Sequence, residues 1–208
     1  MKLILIRHGE TVWNKENRCQ GFSDIELSET GRKQANLLAL SLKDEKVDAI
    51  YSSPLKRAYD TACAIAEYHQ IEVEVDEGLK EMNQGDLEGL TLAELVANHK
   101  NLLERWLRTP ASVKMPHGES LAEVQRRAWS AIQRIVRSHL DEGVVVVSHN
   151  LAISAVLCKV INLDLNHFRR LRQDLGARNT IEFKKRRRML ISMNETWHLS
   201  ELKRMHTS

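Results

Sequence analysis

The 208-residue chain carries 31 Lys+Arg against 28 Asp+Glu, which gives a formal net charge of +3 at pH 7. A hydrophobic fraction of 42% and a charged fraction of 28% are typical of a folded globular protein and exclude a disordered or fibrous chain. The positive excess is too small to indicate a nucleic-acid partner by itself, although it is compatible with an anionic substrate.

The cysteines Cys19, Cys63 and Cys158 are odd in number and widely spaced. The sequence therefore predicts neither a disulfide framework nor a cysteine-based metal site. No charged and apolar leader opens the chain, and no stretch approaches the ~20 apolar residues of a membrane helix. We expect a cytoplasmic protein that has no membrane partner.

The first third of the chain alternates strand and helix patterns. The predicted elements are a buried strand 2–6, a turn-rich loop 14–25, a helix 28–42, a strand 47–52 and a helix from Pro54 to about Tyr68. Ser28 is the expected start of the first helix, because apolar residues recur at helical spacing behind it. Pro54 is expected in the first turn of the second helix, where proline is favoured.

The middle of the chain contains two capping-box patterns, Thr91 to Glu94 and Ser120 to Glu123. They predict helices from Leu92 to about Leu107 and from Leu121 to about Leu140. The surrounding elements are predicted as a half-exposed strand 71–75 near a sheet edge, a long loop 76–90 and a connector 109–118.

The last third begins with a run of four valines, Val144–Val147, which predicts a strand buried on both faces. A helix 151–161 should follow, with Asn150 as its N-cap. Strands 180–183 and 189–193 flank the basic run Lys184–Arg188. We interpret this run as a solvated hairpin turn rather than a nucleic-acid contact, because no aromatic residues interleave the charges.

Strands that alternate with helices predict an α/β fold, a three-layer α/β/α sandwich with a mostly parallel central sheet. We expect one domain over residues 1–208, with a helical excursion at about 91–141 and a C-terminal hairpin and tail at about 180–208. The strand 71–75 could pair with a second copy in a homodimer, or a loop could cover it.

Two histidines follow apolar strands directly: His8 after the first and His149 after the valine run. The carboxyl ends of parallel strands meet at one edge of a sheet, where such folds bind ligands. Arg7 adjoins His8, and Arg57 lies near the start of a helix after a third strand. Paired guanidinium groups match phosphate oxygens, so these residues predict a phosphate-sized cationic pocket. In the loop 76–90, any of the carboxylates Glu77, Glu81, Asp86 and Glu88 could supply an acid on composition alone.

Several ordered motifs resemble one known family. They are Arg7-His8-Gly9-Glu10-Thr11 with Trp13-Asn14, Arg18, Gln20-Gly21 and Asp24; Leu27-Ser28 with Gly31 and Gln34-Ala35; Ser52 to Ala58 with Thr61-Ala62; Leu79-Lys80-Glu81 with Gly85 and Glu88-Gly89; Gly118-Glu119-Ser120; and Val147-Ser148-His149. This pattern is similar to the histidine phosphatase superfamily, with its phosphoglycerate mutase-like fold. The resemblance spans Lys2 to Ile161.

The resemblance implies a role for each site residue. His8 would accept the phosphoryl group, Arg7, Arg57 and His149 would bind its oxygens, and Glu81 would be the proton donor. The residues expected to bind substrate are Asn14, Gln20, Gly21 and Asn150. It implies a metal-independent phosphomonoesterase with no cofactor, acting on a small phosphorylated metabolite such as phosphoserine or α-ribazole phosphate.

The sequence departs from the family pattern at three places. Asn150 replaces a common glycine after the second histidine, Leu87 stands where an aromatic residue is common, and the segment 173–180 only loosely matches the closing strand. Two alternatives remain open. One is a cofactor-dependent phosphoglycerate mutase, whose members usually have longer sequence after the acid and a shielding tail. The other is a non-catalytic binder of a phospho-ligand or nucleic acid.

Overall fold

The sheet of this computed structural model, which describes residues 1–185, 187–200 and 202, has six strands. They are β1 (Lys2–Arg7), β2 (Ala49–Ser52), β3 (Val73–Val75), β4 (Gly143–Ser148), β5 (Arg178–Lys184) and β6 (Arg187–Glu195), in the order β3-β2-β4-β1-β5-β6. Strands β1 to β4 are parallel, and β5 is antiparallel to both β1 and β6. The predicted mostly parallel sheet is confirmed, with β3 at one edge.

Seven α-helices accompany the strands in the described part of the chain. They are α1 (Val12–Lys15), α2 (Glu29–Leu42), α3 (Lys56–His69), α4 (Leu92–Asn98), α5 (Lys100–Arg108), α6 (Leu121–Ser138) and α7 (Asn150–Val160). Short 3-10 turns lie at Glu77–Leu79, Gly85–Leu87, Leu165–Arg170 and Trp197–Leu199. The predicted capping residues Ser28, Thr91 and Ser120 each accept a hydrogen bond from the first turn of their helix.

The core has two parts, one on each face of the sheet, because side chains alternate along each strand. On one face, Ile4, Ile6 and Val145 pack with residues of α2 and α3. On the other face, Leu3 and Val146 pack with residues of α6 and α7. The predicted three-layer α/β/α architecture is therefore confirmed.

Two predicted helix starts were wrong, because distant residues cap these helices. Helix α3 begins at Lys56 rather than near Pro54, since the Asp24 carboxylate accepts the Lys56 N–H at 2.7 Å. Asn150 is the first residue of α7 and not its N-cap; the N-cap is His149, whose side chain makes no capping bond. The Glu81 carboxylate accepts the amides of that first turn instead.

Other boundaries differ from the sequence prediction. The expected helix 92–107 is two helices with a break at His99, next to Asn98, and both residue types have low helix propensity. Helix α6 ends at Ser138, α1 overlaps the start of the predicted loop 14–25, and the predicted loop 76–90 contains two 3-10 turns. The two hairpin strands are longer than predicted.

The C-terminal region is only partly described. Arg186, in the middle of the basic run, lies outside the described residues, as do residues 201 and 203–208 of the predicted C-terminal tail. Trp197–Leu199 forms a 3-10 turn with Leu199 buried. None of the helices in the described ranges is long and apolar enough to cross a membrane.

Candidate active site

The two histidines identified in the sequence lie side by side. Strands β1 and β4 are neighbours, with Arg7 paired in register with Ser148, so the residues that follow them leave the sheet together. The ring centroids of His8 and His149 are 5.0 Å apart, and the ring planes are inclined by 60°. Both side chains are buried. The sheet alone therefore places two imidazoles at one point of its carboxyl edge.

His8 has one ring nitrogen engaged and one left over. Its Nδ1 lies 2.6 Å from the carbonyl oxygen of Gly9, which can only accept, so Nδ1 carries the proton and Nε2 carries the lone pair. Burial, followed by the positive charges of Arg57 and Arg7, holds the pKa of His8 well below its usual value. The imidazole is therefore neutral at pH 7 and can act as a nucleophile.

His149 is held by a residue that the sequence analysis did not select, Ser53. The Ser53 Oγ lies 2.7 Å from His149 Nε2, while Nδ1 is buried without a hydrogen-bond partner in the described part of the chain. Burial and the charge of Arg57 hold the pKa of His149 well below its usual value. If Ser53 donates to Nε2, Nδ1 carries a proton that a ligand could accept.

The two arginines are anchored by backbone carbonyls. Arg57 is fully buried and donates from Nη1 to Ser23 O at 2.7 Å and from Nη2 to Gly21 O at 2.8 Å. Burial lowers the pKa of Arg57 to about 10. Arg7 donates to Gln173 O at 2.6 Å, and burial lowers its pKa also. Among the described residues neither guanidinium forms an ion pair, and both Nε atoms are buried without a partner.

A loop that surrounds Gly21 supports Arg57. Gly21 adopts a φ of +51°, and a Cβ there would lie 2.1 Å from Glu88 Oε1. The Glu88 carboxylate accepts the amides of Phe22 at 2.7 Å and Ser23 at 2.8 Å. Glu88, one of the carboxylates that the sequence offered as a candidate acid, therefore holds the loop whose carbonyls fix Arg57.

Glu81 is the carboxylate that lines the cavity. It is 9% exposed, and its Oε1 accepts the amides of Met82 at 2.9 Å and Ala152 at 3.2 Å. The remaining candidates lie at the surface, where Glu77 pairs with Lys80 and Asp86 pairs with His117. The structure thus separates Glu81 from three neighbours that composition could not distinguish.

The expected substrate-binding residues have different surroundings. Asn14 Oδ1 accepts the Thr11 amide at 3.0 Å, which leaves the Asn14 NH₂ group as its donor for a ligand. Gln20 Oε1 lies 3.0 Å from the Thr11 hydroxyl. Asn14, Gln20, Gly21 and Asn150 all line the same cavity as His8, whereas His149 lies beneath its surface.

The cavity has a volume of about 510 Å³, which suits a small molecule. Arg7, His8, Arg57 and Glu81 form its inner end. Its outer wall comes from α4 and α5, which sequence analysis predicted as a helix without assigning them to the site. Within the described ranges, no cluster of three or more His, Cys, Asp or Glu side chains could hold a metal ion.

The segment 173–180, which only loosely matches the closing strand of the family, holds Arg7 in position. The Gln173 carbonyl accepts from Arg7, and the Gln173 side chain is bonded to buried Asn179. Asn179 in turn donates to Leu5 O at 3.0 Å. The buried, paired amides of this segment fix the position of Arg7 without lining the cavity.

The buried histidines predict how stability depends on pH. An unfolded histidine binds a proton below about pH 6.5, whereas His8 and His149, with lowered pKa values, stay neutral in the folded protein. The free energy of unfolding should therefore fall as pH drops below about 6.5, by up to about 1.4 kcal/mol per pH unit for each histidine. When the free energy of unfolding is measured with urea at several pH values between 7.5 and 5.5, its decrease per pH unit should be smaller for His149→Gln than for wild type. Equal decreases would contradict this interpretation.

Known proteins resemble this chain over nearly all of its length. The family model for the histidine phosphatase superfamily (branch 1) matches residues 3–196. Phosphoserine phosphatase 1 of Hydrogenobacter thermophilus is 39% identical over 97% of this chain and 95% of its own length.

Solved structures agree with these sequence matches. Bacillus stearothermophilus YhfR has a TM-score of 0.91 and 31% identity, covering 95% of this chain and 98% of its own. A phosphoserine phosphatase variant from Entamoeba histolytica in complex with phosphoserine has a TM-score of 0.84 and 33% identity, again covering 95% and 98%. This chain belongs to branch 1 of the histidine phosphatase superfamily and is a phosphoric monoester hydrolase.

Proposed function

We propose that the protein hydrolyses a small phosphomonoester through a phosphohistidine on His8, without a metal ion. The observation that carries this proposal is the state of His8: a buried, neutral imidazole whose Nδ1 is fixed by Gly9 O and whose Nε2 lone pair is free of that bond. A neutral imidazole next to a phosphate-binding site is an adequate nucleophile for phosphorus.

The surrounding donors fit the oxygens of a transferring phosphoryl group. Arg7 and Arg57 supply positive charge that no carboxylate in the described chain pairs with, and each has an unpartnered buried Nε. His149 Nδ1 and the Asn14 NH₂ group are further donors. Fixed donors of this kind stabilise the negative charge spread over the equatorial oxygens in the transition state.

Glu81 is suited to both proton transfers. In the first step His8 Nε2 forms a bond to phosphorus, the ester P–O bond breaks, and protonated Glu81 gives its proton to the departing oxygen. In the second step water attacks phosphorus, the Glu81 carboxylate takes its proton, and the N–P bond breaks to release phosphate. One carboxyl group thereby returns to its starting state.

Two further features support the proposal. Leu92, Val96 and Leu107 line the cavity and are exposed, so the cavity is open to solvent, which supports water rather than a second substrate as the acceptor of the phosphoryl group. The three cysteines are unpaired, which is usual in the reducing cytoplasm, where we propose that the enzyme acts. The substrates suggested by the relatives and by the family resemblance are phosphoserine and α-ribazole phosphate.

The metal-independent mechanism predicts that chelation has no effect. Hydrolysis of 4-nitrophenyl phosphate, followed at 25 °C after dialysis against EDTA, should keep the full kcat of the untreated enzyme, because arginines rather than a cation neutralise the phosphoryl oxygens. Addition of Mg²⁺ or Zn²⁺ to the dialysed enzyme should not raise kcat. Loss of activity in EDTA that either ion restores would contradict the proposal.

A further inference from the structure

One wall of the cavity, formed by α4 and α5, is apolar. Helices α4 and α5 line it with Leu95, Val96, Leu102, Leu103, Trp106 and Leu107. Val96 is 54% exposed and Leu107 is 65% exposed. Large apolar side chains at the rim of a binding cavity leave part of their surface in water, and a ligand that covers this surface gains affinity.

The aromatic part of this wall is held in place. The Trp106 ring lies 5.7 Å from the Phe168 ring, and the Arg169 guanidinium lies 5.5 Å from the Trp106 centroid. Arg169 also donates to Trp106 O at 3.1 Å. These contacts fix the indole as a rigid surface for an apolar group.

The charges that line the cavity are unequal in number. Four arginines line it, Arg7, Arg18, Arg57 and Arg169, whereas Glu81 is its one acidic side chain within the described ranges. Glu81 lies at the inner end, where it accepts amides of α7. A cationic ammonium group on a substrate would therefore have no counter-ion along the outer wall and would lose its hydration there.

We propose that the α4–α5 wall binds the alcohol part of the substrate, and that the preferred substrates are monoesters of alcohols that carry an aromatic ring or an alkyl chain. This inference rests on the proposed function, because it takes the inner end of the cavity as the phosphate site. It distinguishes this chain's substrate from a zwitterionic amino-acid phosphate such as phosphoserine, the compound bound in one of the similar structures.

A binding experiment that needs no turnover tests this inference. Calorimetry measures the dissociation constants of 2-phenylethylphosphonate and 2-aminoethylphosphonate. Both ligands resist hydrolysis, and the first carries a phenyl ring where the second carries an ammonium group. Wild type should bind the phenyl compound more tightly by roughly tenfold or more, because only the ring covers apolar surface. The double variant Val96→Gln with Leu107→Gln should lose most of this preference.

The controls isolate the wall. Val96 and Leu107 are mainly exposed, so their replacement removes little packing, and circular dichroism melting checks that the variant stays folded. Leu140→Gln makes the same change at a 73% exposed leucine that does not line the cavity, and it should keep the wild-type preference. Equal or tighter binding of the aminoethyl compound by wild type, or an unchanged preference in the double variant, would overturn the inference.

Measurements of hydrolysis rates distinguish a failure of this inference from a failure of the proposed function. With 2-phenylethyl phosphate and phosphoserine as substrates, wild type should show a higher kcat/KM for the phenyl ester by roughly tenfold or more. If the enzyme hydrolyses neither of these esters and no aryl phosphate, the proposed function is refuted. The preference between the two phosphonates would then still measure whether the α4–α5 wall binds apolar groups. Hydrolysis with phosphoserine preferred would refute only the apolar wall.

Discussion

Replacement of His8 by alanine should lower kcat for 4-nitrophenyl phosphate by at least roughly 10⁴-fold, which is the scale of loss when a catalytic nucleophile is removed. The other side chains of nucleophilic type near His8 are not suited to replace it. His149 Nε2 is hydrogen-bonded to Ser53, and the hydroxyl of Thr11 is engaged with Asn14 and Gln20. The Cys19 thiol also lines the cavity, but burial raises its pKa, which disfavours the nucleophilic thiolate.

His69→Ala is the matched control for this substitution. His69 is the last residue of α3, at the opposite end of this helix from Arg57, and it does not line the cavity, so the variant should keep wild-type kcat. Phosphonate affinity should fall far less than kcat in His8→Ala, since Arg7 and Arg57 remain. A His8→Ala protein that is folded and retains more than a few per cent of wild-type activity would contradict the proposed mechanism.

The second large effect is expected at Glu81. Glu81→Gln should lower kcat/KM for alkyl phosphates by about 10²- to 10⁴-fold, the usual contribution of a general acid, because an alkoxide must be protonated as it leaves. The first chemical step with 4-nitrophenyl phosphate should be much less affected, since 4-nitrophenolate needs no proton. The glutamine oxygen can still accept the amides of α7, so the helix start should be retained.

Glu77→Gln supplies the comparison for the Glu81 prediction. Glu77 is an exposed carboxylate of the same loop, paired with Lys80, and its amide variant should behave as wild type with both substrates. Burst kinetics with 4-nitrophenyl phosphate measure the first step separately from the second. A Glu81→Gln variant that slows this burst as much as it slows alkyl ester cleavage would argue against Glu81 as the acid.

The fold was predictable where the determinants are local in the chain. The valine run of β4 and the capping residues Ser28, Thr91 and Ser120 depend on neighbours in sequence, and the structure confirmed them. The starts of α3 and α7 were not predictable, because Asp24 and Glu81 cap them from distant loops.

The site shows the same division. His8 and His149 could be paired from sequence, because each follows a strand and parallel strands end at one edge. The residues that hold these side chains in place could not be predicted. The Ser53 hydroxyl contacts His149 and the Gln173 carbonyl contacts Arg7 only through the tertiary fold, and no sequence pattern marks either contact. The apolar wall was missed because the periodicity of α4 and α5 predicts a buried face without showing that this face borders a cavity.

The most direct test of the mechanism is to locate the phosphoryl group on the protein. Glu81→Gln, in which the attack of water on phosphohistidine is slowed, is mixed with 4-nitrophenyl phosphate, denatured at alkaline pH within the first turnover, digested and examined by mass spectrometry. We expect one phosphoryl group on the peptide that contains His8, and none on that peptide in a His8→Ala, Glu81→Gln double variant. A phosphoryl group on any other residue, or an unmodified His8 peptide during full turnover, would contradict the account.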